Sequence, residues 1–169
     1  TYDGVQAVKI TQGDVTIAIN PAAKESKFSG TSFGSDIVLI TTKHPDMNGP
    51  ETATRKDQEP LVIDGPGEYE VQDFFIRGFS SISNYDGKER TNTIYTLRVD
   101  GIDIAFLGAL DGKDLEPEVK EELGESDILF VPIGGEGVLS ADDAYALAVK
   151  REPKIIIPVH YGEIGEKDA

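Results

Sequence analysis

The chain has 169 residues, with 31 acidic against 16 basic side chains, no cysteine and a formal net charge of −15. That length forms one domain with a proper core, and the missing cysteines remove disulfides, thiolate-ligated zinc and thiol catalysis. The charge repels nucleic acid phosphates and anionic membranes, and no apolar run is long enough to span a bilayer.

No charged-then-apolar leader opens the sequence, and a cysteine-free chain suits a reducing compartment, so a cytoplasmic protein is expected. Thr1-Tyr2 reads as the beginning of a first strand, which implies that a few residues have been trimmed. Val5 to Ile10 and Val15 to Ile19 alternate apolar and polar residues around Thr11-Gln12-Gly13-Asp14, the pattern of a hairpin. Residues 22–35 are small and polar and read as a surface loop. Asp36 to Thr41 contains the continuous apolar run Ile37-Val38-Leu39-Ile40, which predicts a strand buried on both faces. It runs into a polar cluster holding His44, Pro45 and Asp46, and Asn48 is placed to cap a short helix with Pro50 in its first turn.

Leu61 to Ile63 is a brief strand, and Asp64 to Val71 turns it back through two glycines flanking Pro66. Phe74 to Gly78 is a further strand, and residues 80–92 read as a polar loop. Thr93 to Val99 and Ile102 to Leu107 flank Asp100-Gly101, the clearest hairpin signal in the chain. Leu115 to Leu123 is an acidic helix with Pro117 early and Gly124 after its end. Asp127 to Ile133 is a second buried strand, followed by Gly134-Gly135-Glu136-Gly137; no P-loop lysine follows this glycine-rich stretch. Ser140 caps a helix over Ala141 to Lys150, with Asp143 near the capping-box position and Tyr145, Leu147 and Ala148 facing inward. Lys154 to His160 is the last strand, followed by Tyr161-Gly162.

Taken in order, these motifs resemble those of the metallo-β-lactamase-fold hydrolases. In that family a buried strand leads into His-x-His-x-Asp-His, and here the same register holds Thr42, His44, Asp46 and Met47. Pro158-x-His160-Tyr161-Gly162 is similar to the family's final ligand motif, while Tyr2-Asp3-Gly4 and Asn20-Pro21 fall where the family has aromatic-x-Gly and Asp-Pro. Gly65 to Val71 resembles a stretch of a bacterial subgroup related to L-ascorbate-6-phosphate lactonase. The resemblance covers Tyr2 to Gly162 and implies a single domain over residues 1–169, an α/β protein with the αββα four-layer sandwich in a compact form.

It also implies where metal would be held. Family members use two zinc ions to activate a bridging water and polarise the scissile bond. One ion's three histidine positions are Thr42, His44 and Ser83 here, and the other's are Asp46, Met47, Ala109 and His160. His44, Asp46 and His160 are the residual metal ligands; thioether and hydroxyl side chains are poor zinc donors. Asp111 is the one shifted candidate for the carboxylate missing at Ala109. Each residual ligand also has a structural reading: His44 as a polar strand end, Asp46 as a cap, His160 as a hydrogen-bond partner of Asp46. Two functions follow. The first is a hydrolase-like fold with most metal ligands replaced, without a cofactor, serving in binding or assembly. The alternative is a mononuclear hydrolase with one zinc or manganese ion on His44, Asp46 and His160, acting on a small lactone, ester or phosphate-bearing metabolite. Ser80, Ser81 and Ser83 offer hydroxyls for metal-free chemistry, but no Gly-x-Ser-x-Gly elbow presents them. The charge argues against nucleic acid and membrane partners; the partner is otherwise open, with a homo-oligomer among the options.

Overall fold

A computed structural model describes residues 5–31 and 33–161; Tyr2-Asp3-Gly4 and Gly162 lie outside the described residues. The chain forms two packed sheets. The first has strand order β1-β2-β3-β4, with β1 (Val8–Gln12), β2 (Val15–Ile19), β3 (Ile37–Leu39) and β4 (Leu61–Ile63). The second has order β10-β9-β8-β7-β6-β5, with β5 (Gly67–Val71), β6 (Phe74–Ser83), β7 (Arg90–Val99), β8 (Ile102–Phe106), β9 (Ile128–Pro132) and β10 (Ile155–Val159). Two helices, α1 (Pro117–Gly124) and α2 (Ala141–Val149), cover the outer face of the second sheet. Among the described residues, no helix is long and apolar enough to cross a membrane.

The alternation of side chains sorts β3 between two cores. Ile37 and Leu39 join the layer between the sheets, which also takes Ile17, Ile19, Ile76, Tyr95, Leu97 and Phe106. Val38 turns the other way, against Ala18, Ile40 and Ala53. All three β3 residues are fully buried, as a strand with parallel neighbours on both sides requires. Tyr95 pins the two layers: its hydroxyl lies 3.1 Å from the Ile40 carbonyl and 3.2 Å from that of Ile63. Burial, with Tyr69 adding to it, raises this phenol well above the usual tyrosine range.

Four sequence expectations are corrected. Residues 80–92 are mostly strand: β6 runs to Ser83 and β7 starts at Arg90, paired Ser83↔Arg90. The pairing satisfies the backbone, so polar content does not oppose it; only the 3₁₀ turn Tyr85–Gly87 and its flanks stay outside. Asp64 to Val71 does not fold β4 back on itself, because β4 pairs with β3 while β5 pairs with β6 in the other sheet. The helix after Asn48 is a four-residue 3₁₀ turn, Pro50–Ala53, entered through Gly49 with no side-chain cap. It is the outer layer's contribution on the first sheet, hence the compact form. Tyr145 is 71% exposed, while Ala144, Leu147 and Ala148 face the sheet; Tyr145 follows Ala144 by one residue, a turn of roughly 100° about the helix axis. The expected cap of α2 is present, with Ser140 Oγ accepting from the Asp143 N–H at 3.2 Å.

Candidate functional site

The strand ends meet above a hydrogen-bonded floor. Two residues past the end of β3, Thr41 N–H donates to Asn20 Oδ1 at 2.8 Å. That contact fixes the Asn20 amide, because a backbone N–H needs an oxygen opposite it. Asn20 Nδ2 then donates to Thr41 Oγ1 at 2.8 Å and to Gln6 Oε1 at 2.9 Å. Gln6 Nε2 in turn donates to the Gly108 carbonyl at 3.0 Å and faces His160 Nδ1 at 2.8 Å. An amide nitrogen has only hydrogens to offer, so His160 Nδ1 is the acceptor and a neutral ring carries its proton on Nε2. Burial pushes this imidazole down to about 4, with Asp46 pulling the other way and His44 and Lys27 adding to the drop. From the second sheet, Asn92 Oδ1 receives Thr42 Oγ1 at 2.9 Å and the Ala109 N–H at 2.8 Å.

His44 and Asp46 follow within one tight loop. The Asp46 N–H donates to His44 Nδ1 at 3.2 Å, so this ring too holds its proton on Nε2 when neutral, 3.6 Å from Asp86 Oδ2. The Asp46 carboxylate caps no helix and bonds neither histidine as its main partner. Ser26 Oγ donates to its Oδ1 at 2.5 Å and Tyr85 OH to its Oδ2 at 2.8 Å, with His44 Nδ1 further off at 3.5 Å. His160 bonds Gln6 rather than Asp46, and its backbone sits at a left-handed φ of +57° where its N–H reaches the Val5 carbonyl at 2.6 Å.

Tyr85 occupies the centre. Its ring meets the His44 ring edge-on with centroids 4.8 Å apart, and the His160 ring edge-on at 4.7 Å. It separates a groove of about 620 Å³ onto which His44 and Asp46 open from a cleft of about 200 Å³ that receives His160. Beneath it, Met47, Ala109 and Val138 form a buried apolar cluster against the Tyr85 ring. Thr42 Oγ1 is committed to Asn92, and Ser83 Oγ accepts the Tyr85 N–H at 3.2 Å. Asp111 lies elsewhere: it accepts from Asn84 Nδ2 at 2.7 Å and lines a separate cleft with Ser80 and Ser81. Ser81 Oγ donates to the Asn92 carbonyl at 3.1 Å, so this hydroxyl ties β6 to β7.

The donor set can be tested against a pair of cations. Both imidazoles meet protein N–H donors with their Nδ1 lone pairs, the carboxylate receives two hydroxyls, and a phenol stands between the three. Among the described residues no three His, Cys, Asp or Glu side chains gather as a group that could hold a metal. As arranged, these side chains do not fit a dinuclear zinc centre.

The comparisons identify the lineage. The family model for the β-lactamase superfamily domain matches residues 1–160. The chain belongs to the metallo-β-lactamase superfamily. A UPF0173 metal-dependent hydrolase from Natranaerobius thermophilus is 26% identical, over 95% of this chain and 82% of its own length. A UPF0173 protein from Pyrococcus abyssi is 41% identical over 77% of this chain and 68% of its own. Among solved structures, a proposed zinc-dependent hydrolase of the superfamily from Thermotoga maritima superimposes with a TM-score of 0.73 at 27% identity, covering 96% of this chain and 75% of that one. Metallo-β-lactamase relatives thus share the fold. Tyr85, Gln6, Asn92 and Ser26 were not legible from the sequence as site residues; Tyr85's one signal is that it is the sole aromatic in the polar stretch 80–92.

Proposed function

We propose that this metallo-β-lactamase-fold protein works by binding or in assembly rather than by metal-dependent hydrolysis. The observation that carries the reading is Tyr85, whose ring lies between His44 and His160 while its hydroxyl occupies the Asp46 carboxylate. A metal on those residues would need the phenol to leave and both imidazoles to exchange the Nδ1 bonds that keep a proton on Nε2. The lack of cysteine supports a cytoplasmic setting. One observation favours a second reading, a mononuclear hydrolase of a small lactone, ester or phosphate-bearing metabolite: relatives at 26% and 27% identity carry names that make them metal-dependent hydrolases. Elemental analysis of protein expressed with added zinc or manganese separates the two. The expected result is substoichiometric metal, unchanged in His160→Ala, and no turnover of generic esters, lactones or phosphodiesters. One-to-one metal that is lost in His160→Ala, together with hydrolysis, establishes the second reading instead.

A further inference from the structure

The groove onto which His44 and Asp46 open is lined by four acidic residues, Glu25, Asp46, Asp86 and Glu136; a second pocket has the opposite character. It measures about 490 Å³ and is lined by Lys43, Lys88 and Arg90, with Thr41, Thr91 and Thr93 and, as the one acid among the described lining residues, Asp64. In a chain with 31 acidic and 16 basic side chains, three cations around one acid is a marked local reversal. The two cavities draw on the same two segments. Thr41 and Lys43 line the pocket while His44 and Asp46 line the groove; Lys88 and Arg90 line the pocket while Tyr85, Asp86 and Gly87 line the groove. The cations are not all neutralised. Lys43 pairs with Asp64 at 2.9 Å, but among the described residues Lys88 and Arg90 are in no ion pair. Arg90 is held in place instead by neutral carbonyls, Nη1 donating to Tyr85 O at 2.6 Å and Lys88 O at 3.1 Å.

We propose that this pocket binds the phosphate group of a small anionic molecule. Its size is in the range of a small-molecule site. Two point-like ammonium groups and one guanidinium suit a compact dianion with several acceptor oxygens. Arg90 spends Nη1 on two carbonyls, and a phosphate offers the ammonium groups beside it more acceptor oxygens than a flat carboxylate does. A long polyanion is opposed by the negative charge of the remaining chain. The site stands whether or not the groove that shares its segments holds a metal, and metal content does not enter its test.

Isothermal titration calorimetry at low ionic strength tests it, with inorganic phosphate, glycerol 3-phosphate and succinate as probes. The expected result is saturable one-to-one binding of at least one of the two phosphates, weaker binding of succinate, and a loss of about tenfold in Lys88→Gln that deepens in Lys43→Gln/Lys88→Gln. Free phosphate binding more tightly than the ester assigns the site to the inorganic ion; the reverse assigns it to a phosphorylated metabolite. Both lysines are exposed, so these variants keep the fold, which thermal unfolding checks; Arg90 is left intact because it also holds the Tyr85 turn. Lys56→Gln, outside the pocket, leaves binding unchanged. The proposal is overturned if neither phosphate binds saturably, if the double variant binds as well as the parent, or if a single-stranded oligonucleotide binds more tightly than either phosphate.

Discussion

The floor and the mouth of the candidate site are built by different physics. The floor is a chain of directed hydrogen bonds, Gln6 to Asn20 to Thr41 on one sheet and Asn92 to Thr42 and Ala109 across the gap. Each amide there has its orientation dictated by a backbone group. The mouth is an apolar cluster of Met47, Ala109 and Val138 under one phenol that bonds a carboxylate. The difference separates two tasks that a ligand set usually hides. The floor fixes where positions 42, 109 and 160 stand in space. What stands at those positions decides chemistry, and the floor holds them irrespective of it.

The comparison breaks most severely at Gly108. Its φ is +63°, and a Cβ there would lie 2.5 Å from Asn92 Oδ1 and 2.6 Å from Thr41 Cβ. Gly108→Ala is expected to cost about 3 kcal/mol or more, strain plus the broken floor. Gly13 has a similar φ of +56° with nothing within 4 Å, so Gly13→Ala is expected to cost only about 1 kcal/mol. Denaturant unfolding of both variants isolates the steric part; equal losses would remove the floor's special standing. Asn20→Ala comes next, at about 2–4 kcal/mol, because it leaves the buried Thr41 N–H and Gln6 Oε1 unpaired. Met47→Leu in the mouth, a swap of similar volume, is expected to cost less than about 1.5 kcal/mol.

What the sequence disclosed follows the same division. Ile37-Val38-Leu39 announced a doubly buried strand because an unbroken apolar run leaves no face for water, and Asp100-Gly101 announced its hairpin because both residues adopt positive φ, +50° and +79°. The position of His160 beyond β10 was legible from its motif. The partners of these residues were not. Asn92 and Gln6 act through contacts 11 to 154 residues away in sequence, which no local pattern encodes. Tyr85 was hidden because a polar stretch looked like loop, whereas Ser83↔Arg90 pairing carries the strands almost to its doorstep.

The link between floor and mouth is His160, and pH reads it. Its folded value, pushed down to about 4, lies below the ordinary histidine value. Between the two, the unfolded chain binds a proton that the folded chain refuses, so stability falls as pH falls from 7 toward 5 and is fully present above the unfolded value. The expected loss over that interval is about 1–2 kcal/mol. Other groups titrate nearby, so the readout is the difference between the parent and His160→Gln in urea unfolding at pH 5 and pH 7. Parallel pH profiles would mean that burial does not hold His160 neutral.

The smallest effect is the sharpest for the mouth. Tyr85→Phe keeps the ring against both imidazoles and deletes only the hydroxyl that donates to Asp46 Oδ2. The carboxylate retains Ser26 on Oδ1, and the groove beside it lets water replace the lost donor. The cost is therefore about 0.5–1.5 kcal/mol, that of a single replaceable hydrogen bond. It must fall below that of Asn20→Ala, whose deserted partners are sealed from water. If the two losses prove equal, the phenol is as rigidly built in as the amides, and the mouth belongs to the same framework as the floor.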